Sequence, residues 1–197
     1  MLPLPPCCDN ILYTEEQVQK RVVELANEIS EHYSRILGEN EHLIIVPVLK
    51  GSYIFAADLS RHITVPNAVD FIALSSYQDS LTSSGEVKII MDTRKSMCQK
   101  HVLIIEDIID TGYTLSFLSN LFQTRSPKSI KTCVLLTAPK KKRKIENFHA
   151  DFVGYDIGER FVVGYGLDFG ELYRNLPYIA ELKQEIIDEI KNKSNTQ

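Results

Sequence analysis

A mostly parallel α/β sheet flanked by helices is the fold class this sequence predicts, on two observations. Leu43-Ile44-Ile45-Val46-Pro47-Val48-Leu49 and Val102-Leu103-Ile104-Ile105 are continuous apolar runs of strand length, the pattern of strands buried on both faces. Helix-like spacing follows each run, and strands that alternate with helices form parallel sheets with right-handed crossovers. Ligands then belong beyond the carboxyl ends of the strands.

The opening Met1-Leu2-Pro3-Leu4-Pro5-Pro6 has three prolines and no basic flank, so it is a poor signal peptide, and residues 1–10 are expected to be a loose tail. Thr14-Glu15-Glu16-Gln17 is a capping box, after which Val18, Val22, Leu25, Ile29 and Ile36 mark one helical face up to Gly38. Strand 43–49 follows, and Pro47, which cannot donate to a ladder, argues for an edge position or an irregular ladder near its end. A helix over 52–62 and a strand over 69–74 lead into Ser75–Gly85, a polar, small-residue stretch long enough to be a mobile lid. Then come strand 87–91, strand 102–106, helix 112–124 and strand 130–136. Tyr178, Leu182, Ile186 and Ile190 are spaced for a closing helix, with fraying expected over 192–197. No repeat is visible, and 197 residues fit a single domain.

Hydrophobic content of 44% and charged content of 24% place the chain among globular proteins, and no apolar run reaches membrane-spanning length. With 22 basic against 26 acidic residues the net charge is −4, which gives no general attraction to nucleic acid, so anion binding must be local. Cys7, Cys8, Cys98 and Cys133 lack both metal-ligand spacing and the density of a secreted scaffold, so reduced thiols and a cytoplasmic location are expected.

The stretch Val102–Thr114 carries the chemistry. An apolar strand runs into Glu106 and Asp107, then into Asp110-Thr111-Gly112-Tyr113-Thr114, with Leu115, Leu118 and Phe122 at helical spacing beyond. At a strand-to-helix junction the free N–H groups and the helix dipole favour an anion, Gly112 permits close approach, and two threonine hydroxyls add donors. A phosphate fits there. Glu106 and Asp107 would repel it unless they face hydroxyls or a metal ion elsewhere on the ligand, and a polyhydroxyl phosphate points to a ribose phosphate.

This stretch resembles the phosphoribosyl-diphosphate motif of type I phosphoribosyltransferases, in the hypoxanthine-guanine branch. The resemblance extends through Leu49-Lys50-Gly51, Ser76-Tyr77, Phe161-Val162-Val163-Gly164-Tyr165-Gly166-Leu167-Asp168 and Tyr173-Arg174, roughly residues 43–178. It implies the type I fold with a small hood and a mobile lid loop. It also implies purine salvage: transfer of 5-phosphoribosyl from its 1-diphosphate to N9 of hypoxanthine or guanine, giving IMP or GMP and pyrophosphate. Asp110 would accept the purine N7 proton, a step a carboxylate beside the base can perform. Residues 110–114 would hold the 5′-phosphate, and Glu106 and Asp107 the ribose hydroxyls. Lys50, Gly51 and Arg174 would hold the diphosphate, with a cis peptide between Leu49 and Lys50. Ser76 and Tyr77 would lie on the lid. Phe161 would stack on the purine and Val162 read its edge, whereas strand aromatics and branched residues are otherwise usually core. Asp168 would lie at the purine and hold a magnesium ion, which needs few protein oxygens. A homodimer or homotetramer is implied too.

Two departures stand out. Tyr113 occupies a position that is often Lys, with little effect expected because the phosphate contacts are largely backbone. The Lys that donates to the purine 6-oxo group falls on Ala138 when counted forward from Leu135-Leu136 and on Lys140 when counted back from Asp151, so about two residues are inserted; Lys140 is the choice. The altered segment leaves xanthine or broader 6-oxopurine use open, and a weakly catalytic nucleotide-binding regulator is the rival from another class. Pro139-Lys140-Lys141-Lys142-Arg143-Lys144 also resembles a nuclear localisation signal, the lesser expectation because it begins beside the expected site.

Overall fold

A computed structural model describes residues 2–76, 87–139 and 149–194. The apolar runs form the centre of its larger sheet. Among the described residues the strand order is β5 (Val87–Met91), β4 (Ile72–Ser76), β2 (Leu43–Leu49), β6 (His101–Ile109), β7 (Ser129–Thr137) and β8 (Phe152–Asp156), with β3 (Asn67–Val69) also on β2. Only β4 and β5 pair antiparallel. Helices α1 (Glu15–Ser34) and α2 (Tyr53–His62) cover one face and α3 (Tyr113–Gln123) the other. The alternation of strand side chains explains the unbroken apolar runs: Leu43, Ile45, Leu103 and Ile105 pack toward α1 and α2, whereas Ile44, Val46, Val102 and Ile104 pack toward α3. Each such burial stabilises by roughly 1.5–3 kcal/mol relative to exposure, a large share of the ~5–15 kcal/mol that holds a domain folded.

Pro47 is not at an edge. β2 lies between β6 and the β3/β4 pair, and Pro47 is the last residue in register with β6, opposite Ile105. On the other side the ladder lapses between Ile45 (paired with Val69) and Val48 (paired with Ile72). The missing N–H therefore falls at a break, so the irregular-ladder alternative holds. The same break divides the expected strand 69–74 into β3 and β4. There the Asp70 carboxylate turns to accept the N–H groups of Phe71, Arg94 and Lys95 at 2.7–3.0 Å.

Helix α1 has the predicted capping box, with Thr14 Oγ1 accepting from Gln17 N and Gln17 Oε1 from Thr14 N. It ends at Ser34, short of Gly38, where the chain tightens into Arg35 N–H to His32 O and Ile36 N–H to Tyr33 O bonds, and Ile36 is exposed. Strand β6 runs on to Ile109 rather than stopping at Glu106, so both acids lie within it.

A second, three-stranded antiparallel sheet, β1 (Cys8–Tyr13), β10 (Ile179–Leu182) and β9 (Val162–Val163), forms the hood around Cys8, Val163, Leu176, Tyr178, Ala180 and Leu182. It corrects two expectations. The loose tail over 1–10 is instead tied down: Cys8 begins β1, Cys8 N–H reaches Pro5 O, and the Tyr178 hydroxyl donates to Pro3 O at 2.8 Å. Tyr178 and Leu182 precede the closing helix α4 (Gln184–Ser194) and serve the hood. A spacing of four suits a strand's period of two as well as a helix, and Ala180, buried between them, supplies the strand phase. Helix α4 reaches Ser194, through part of the segment expected to fray. Among the described residues no helix is long and apolar enough to cross a membrane.

Candidate active site

The end of β6 and the loop after it form the floor of the site. Asp107 Oδ1 accepts the Ile108 N–H at 2.8 Å, and the facing of side chains reverses across the acids, with Ile108 packing toward α1 and α2 and Ile109 toward α3. Gly112 caps α3 in the left-handed region (φ 84°), with no side-chain cap bond and no acidic residue in the first helical turn. The helix start is therefore open to an anion, at the place where residues 110–114 are expected to hold a phosphate. Asp110, exposed, stands beside it.

Burial shapes the charges of the two acids. The Glu106 carboxyl is pushed well above its ordinary value by burial and then by Asp107, and its Oε2 is buried without a hydrogen-bond partner. Asp107 is pushed up to about 6, first by burial and further by Asp168, against the backbone N–H groups and Arg174, which act the other way. Buried acceptors that lack donors are costly for folding, and they are ready for ligand hydroxyls or a cation.

Three backbone segments meet beside Asp107. The Leu49–Lys50 peptide bond is cis, as the resemblance implied. A Cβ at Gly51 would stand 1.7 Å from Asp107 Oδ2, and one at Gly166 (φ 103°) would stand 2.1 Å from the Gly51 carbonyl oxygen. Gly166→Ala combines a left-handed φ with backbone overlap, so it is expected to cost about 2–4 kcal/mol, read as a fall in Tm of roughly 5–10 °C. An unchanged Tm would show that these loops do not touch in solution. Arg174 closes the corner: Nη1 donates to Gly166 O at 2.8 Å and Nη2 pairs with Asp168 Oδ1 at 2.7 Å.

Above this floor is a cavity of about 260 Å³ lined by Asp107, Ile108, Asp110, Ala138, Arg160, Phe161, Val162, Leu167 and Asp168. Phe161 is 45% exposed, so it serves the cavity and not the core. Val162 is buried, held in the hood opposite Glu181. Ala138 presents a methyl group where the forward count had placed it. Lys140 and Tyr77 lie outside the described residues, as does all of the lid beyond Ser76, the last residue of β4. The structure thus gathers Asp107, Asp110, Phe161, Val162 and Asp168 around one cavity, with Gly51 beside Asp107 and Arg174 paired to Asp168, whereas the Lys50 side chain pairs with Glu171.

Among the described residues no cluster of three His, Cys, Asp or Glu side chains could hold a metal alone. Asp107 and Asp168 nevertheless line one cavity, and the Asp168 charge raises the Asp107 pKa. Hard carboxylate oxygens in each other's field suit a divalent cation that completes its shell with ligand oxygens and water.

Sequence reasoning missed several residues here. Arg160 lines the cavity just outside the motifs, Leu167 and Ile108 line it from within motifs that gave them no role, and Glu171 reaches Lys50 across the chain. Tyr165 was noted only within a motif. Its buried hydroxyl donates to Asp58 of α2 at 2.6 Å, and Gln19 of α1 donates to the same oxygen at 2.8 Å, which fastens the 164–168 loop to both helices. Partners so distant in sequence leave no local signal.

A helix start open to an anion, buried acids next to it and an aromatic wall opposite have the shape of a site for a phosphorylated sugar and a flat ring on an α/β fold. Residues 10–169 match the phosphoribosyl transferase domain, and the chain belongs to that family. It is 46% identical over 180 residues to the hypoxanthine-guanine phosphoribosyltransferase of Bacillus subtilis, covering 91% of this chain and 96% of that protein. The Dictyostelium discoideum enzyme of the same name is 43% identical over 178 residues, covering 89% and 96%. Trypanosoma cruzi hypoxanthine phosphoribosyltransferase in complex with the product IMP superposes with a TM-score of 0.85 at 42% identity, covering 94% of this chain and all of that one.

Proposed function

We propose that this protein is a magnesium-dependent purine phosphoribosyltransferase acting as a single catalytic domain in the cytoplasm. It transfers 5-phosphoribosyl from 5-phosphoribosyl 1-diphosphate to N9 of hypoxanthine or guanine, giving IMP or GMP and pyrophosphate. The observation that carries this is the single cavity lined by a carboxylate (Asp110), an exposed aromatic (Phe161) and two further acids. The names of the relatives and the IMP bound in the Trypanosoma cruzi enzyme agree with it.

In this reading the α3 start and the hydroxyls of Thr111 and Thr114 hold the 5′-phosphate. Glu106 and Asp107 accept from the ribose hydroxyls, and Lys50, Gly51 and Arg174 hold the diphosphate. Phe161 stacks on the base, and Val162 backbone atoms read its edge. The C1′–oxygen bond to the diphosphate breaks, N9 bonds to C1′, and the N7 proton passes to Asp110. Preorganised acids around the ribose stabilise the positive charge that develops there. Asp168 would hold a magnesium ion, which would supply positive charge toward the diphosphate oxygens. Ser76 and Tyr77 close over the reaction and exclude water. The active form is a homodimer or homotetramer. Calorimetric titration with phosphoribosyl diphosphate, followed by an absorbance assay for IMP, tests the proposal; binding without turnover leaves the regulator reading instead.

The Ala138 methyl favours one variant of this reading, a broader 6-oxopurine range that includes xanthine, unless another donor reaches the base. We assign that donor to Lys140. A site built to hydrogen-bond a substrate oxygen rejects analogues that lack it, since its own donor is then left unpaired. Lys140→Ala is expected to lower kcat/KM for hypoxanthine and guanine by about tenfold or more and to narrow the gap to adenine, while Lys141→Ala changes little. Equal behaviour of the two variants in a parallel substrate screen would place the donor elsewhere.

A further inference from the structure

Lys50 and Arg174 already hold an anion, supplied by the chain itself. Glu171 pairs through Oε2 with the Lys50 ammonium, and its Oε1 lies 3.2 Å from Arg174 Nη2. One carboxylate thus spans two cations from segments far apart in sequence, and it offers them what a phosphoryl group offers, negative charge and acceptor oxygens. We propose that Glu171 is an internal competitor for the diphosphate, displaced from Lys50 and Arg174 when substrate binds and returning to them as pyrophosphate leaves. The proposal rests on the assignment of Lys50 and Arg174 to the diphosphate.

The surroundings fix the sign of the effect. Arg174 does not depend on Glu171 for its position, because Gly166 O and Asp168 Oδ1 hold its guanidinium and its own carbonyl accepts the Gly166 N–H at 2.9 Å. The Lys50 and Glu171 side chains are 66% and 64% exposed, so their contact opens without unpacking anything. The Glu171 main chain stays anchored meanwhile, since its N–H donates to Asp168 Oδ2 at 2.8 Å. The carboxylate pivots about a fixed point. A glutamate is ionised at neutral pH, so Glu171 brings a full negative charge to both cations. Exposed ion pairs are individually weak. A pair of them handicaps the diphosphate by a few-fold, enough to hasten release without preventing binding.

Calorimetric titration of the whole protein with magnesium pyrophosphate tests this. Glu171→Gln removes the charge and keeps the shape, and it is expected to bind pyrophosphate about three- to tenfold tighter than the parent. Glu171→Ala, which removes the acceptor as well, should tighten binding at least as much. Arg174→Ala and Lys50→Met should each weaken it. If those two bind pyrophosphate as the parent does, the diphosphate assignment itself is wrong. If they lose binding while both Glu171 variants bind no tighter than the parent, the competitor is overturned and the assignment stands.

Discussion

Asp110→Asn is expected to lower kcat by about 10²-fold or more while leaving phosphoribosyl diphosphate affinity within a few-fold. Asp110 is exposed on the cavity wall, two residues before the glycine that caps α3, so it faces the cavity without supporting the fold. The amide has the shape of the carboxylate but almost none of its basicity. It leaves untouched the backbone N–H groups at the α3 start, which in the proposed reading hold the 5′-phosphate, so binding and chemistry separate. Single-turnover formation of IMP reads the chemical step directly, and calorimetry reads the affinity. A full-speed variant would remove Asp110 from the role of base.

Asp107→Asn is expected to do two opposite things, stabilise the protein and weaken its substrate binding. The folded-state pKa of about 6 lies above the ordinary 3.8. The cost of keeping this carboxylate ionised is therefore absent at low pH, grows as pH rises from 3.8 to about 6, and is complete above that. Its size is on the order of 3 kcal/mol. Asparagine keeps an oxygen for the Ile108 N–H and carries no charge. Its Tm should exceed the parent's by roughly 5–10 °C at pH 8, with the gain shrinking toward nothing at pH 4. Affinity for phosphoribosyl diphosphate should fall about tenfold or more, since a charged acceptor for a ribose hydroxyl is lost. A Tm gain of equal size at both pH values would mean that something other than this ionisation destabilises the parent. Stability given up at a binding site in this way is a common trade.

Much of the site was legible because its signals are local. Strand, acids, anion loop and helix follow one another within Val102–Phe122, and each announces itself by residue type and spacing. The Thr14 capping box and the Leu43–Leu49 strand are legible for the same reason, as interactions within a few residues or a solvent pattern along one element. Even there local rules ended at the ladder: Pro47 was compatible with an edge position or an irregular ladder, and only the break between β3 and β4 beside it decides for the second. Tyr178 and Leu182 looked helical because a spacing of four does not distinguish the two periods.

By itself, then, the sequence determined the sheet centre, the glycine-capped turn after β6, the acids that precede it and the family those motifs mark. Only the tertiary structure decided that Cys8–Tyr13 forms a strand with Ile179–Leu182, that Phe161 faces the cavity, that Gly51 and Gly166 must lack a Cβ, and that Glu171 holds Lys50. Each of these depends on a partner tens to well over a hundred residues away, reached through loop closure whose entropic cost says little about which distant groups will meet. Close approach and burial set the Asp107 pKa and the space at Gly51, and both are properties of the packed chain, absent from any window of its sequence.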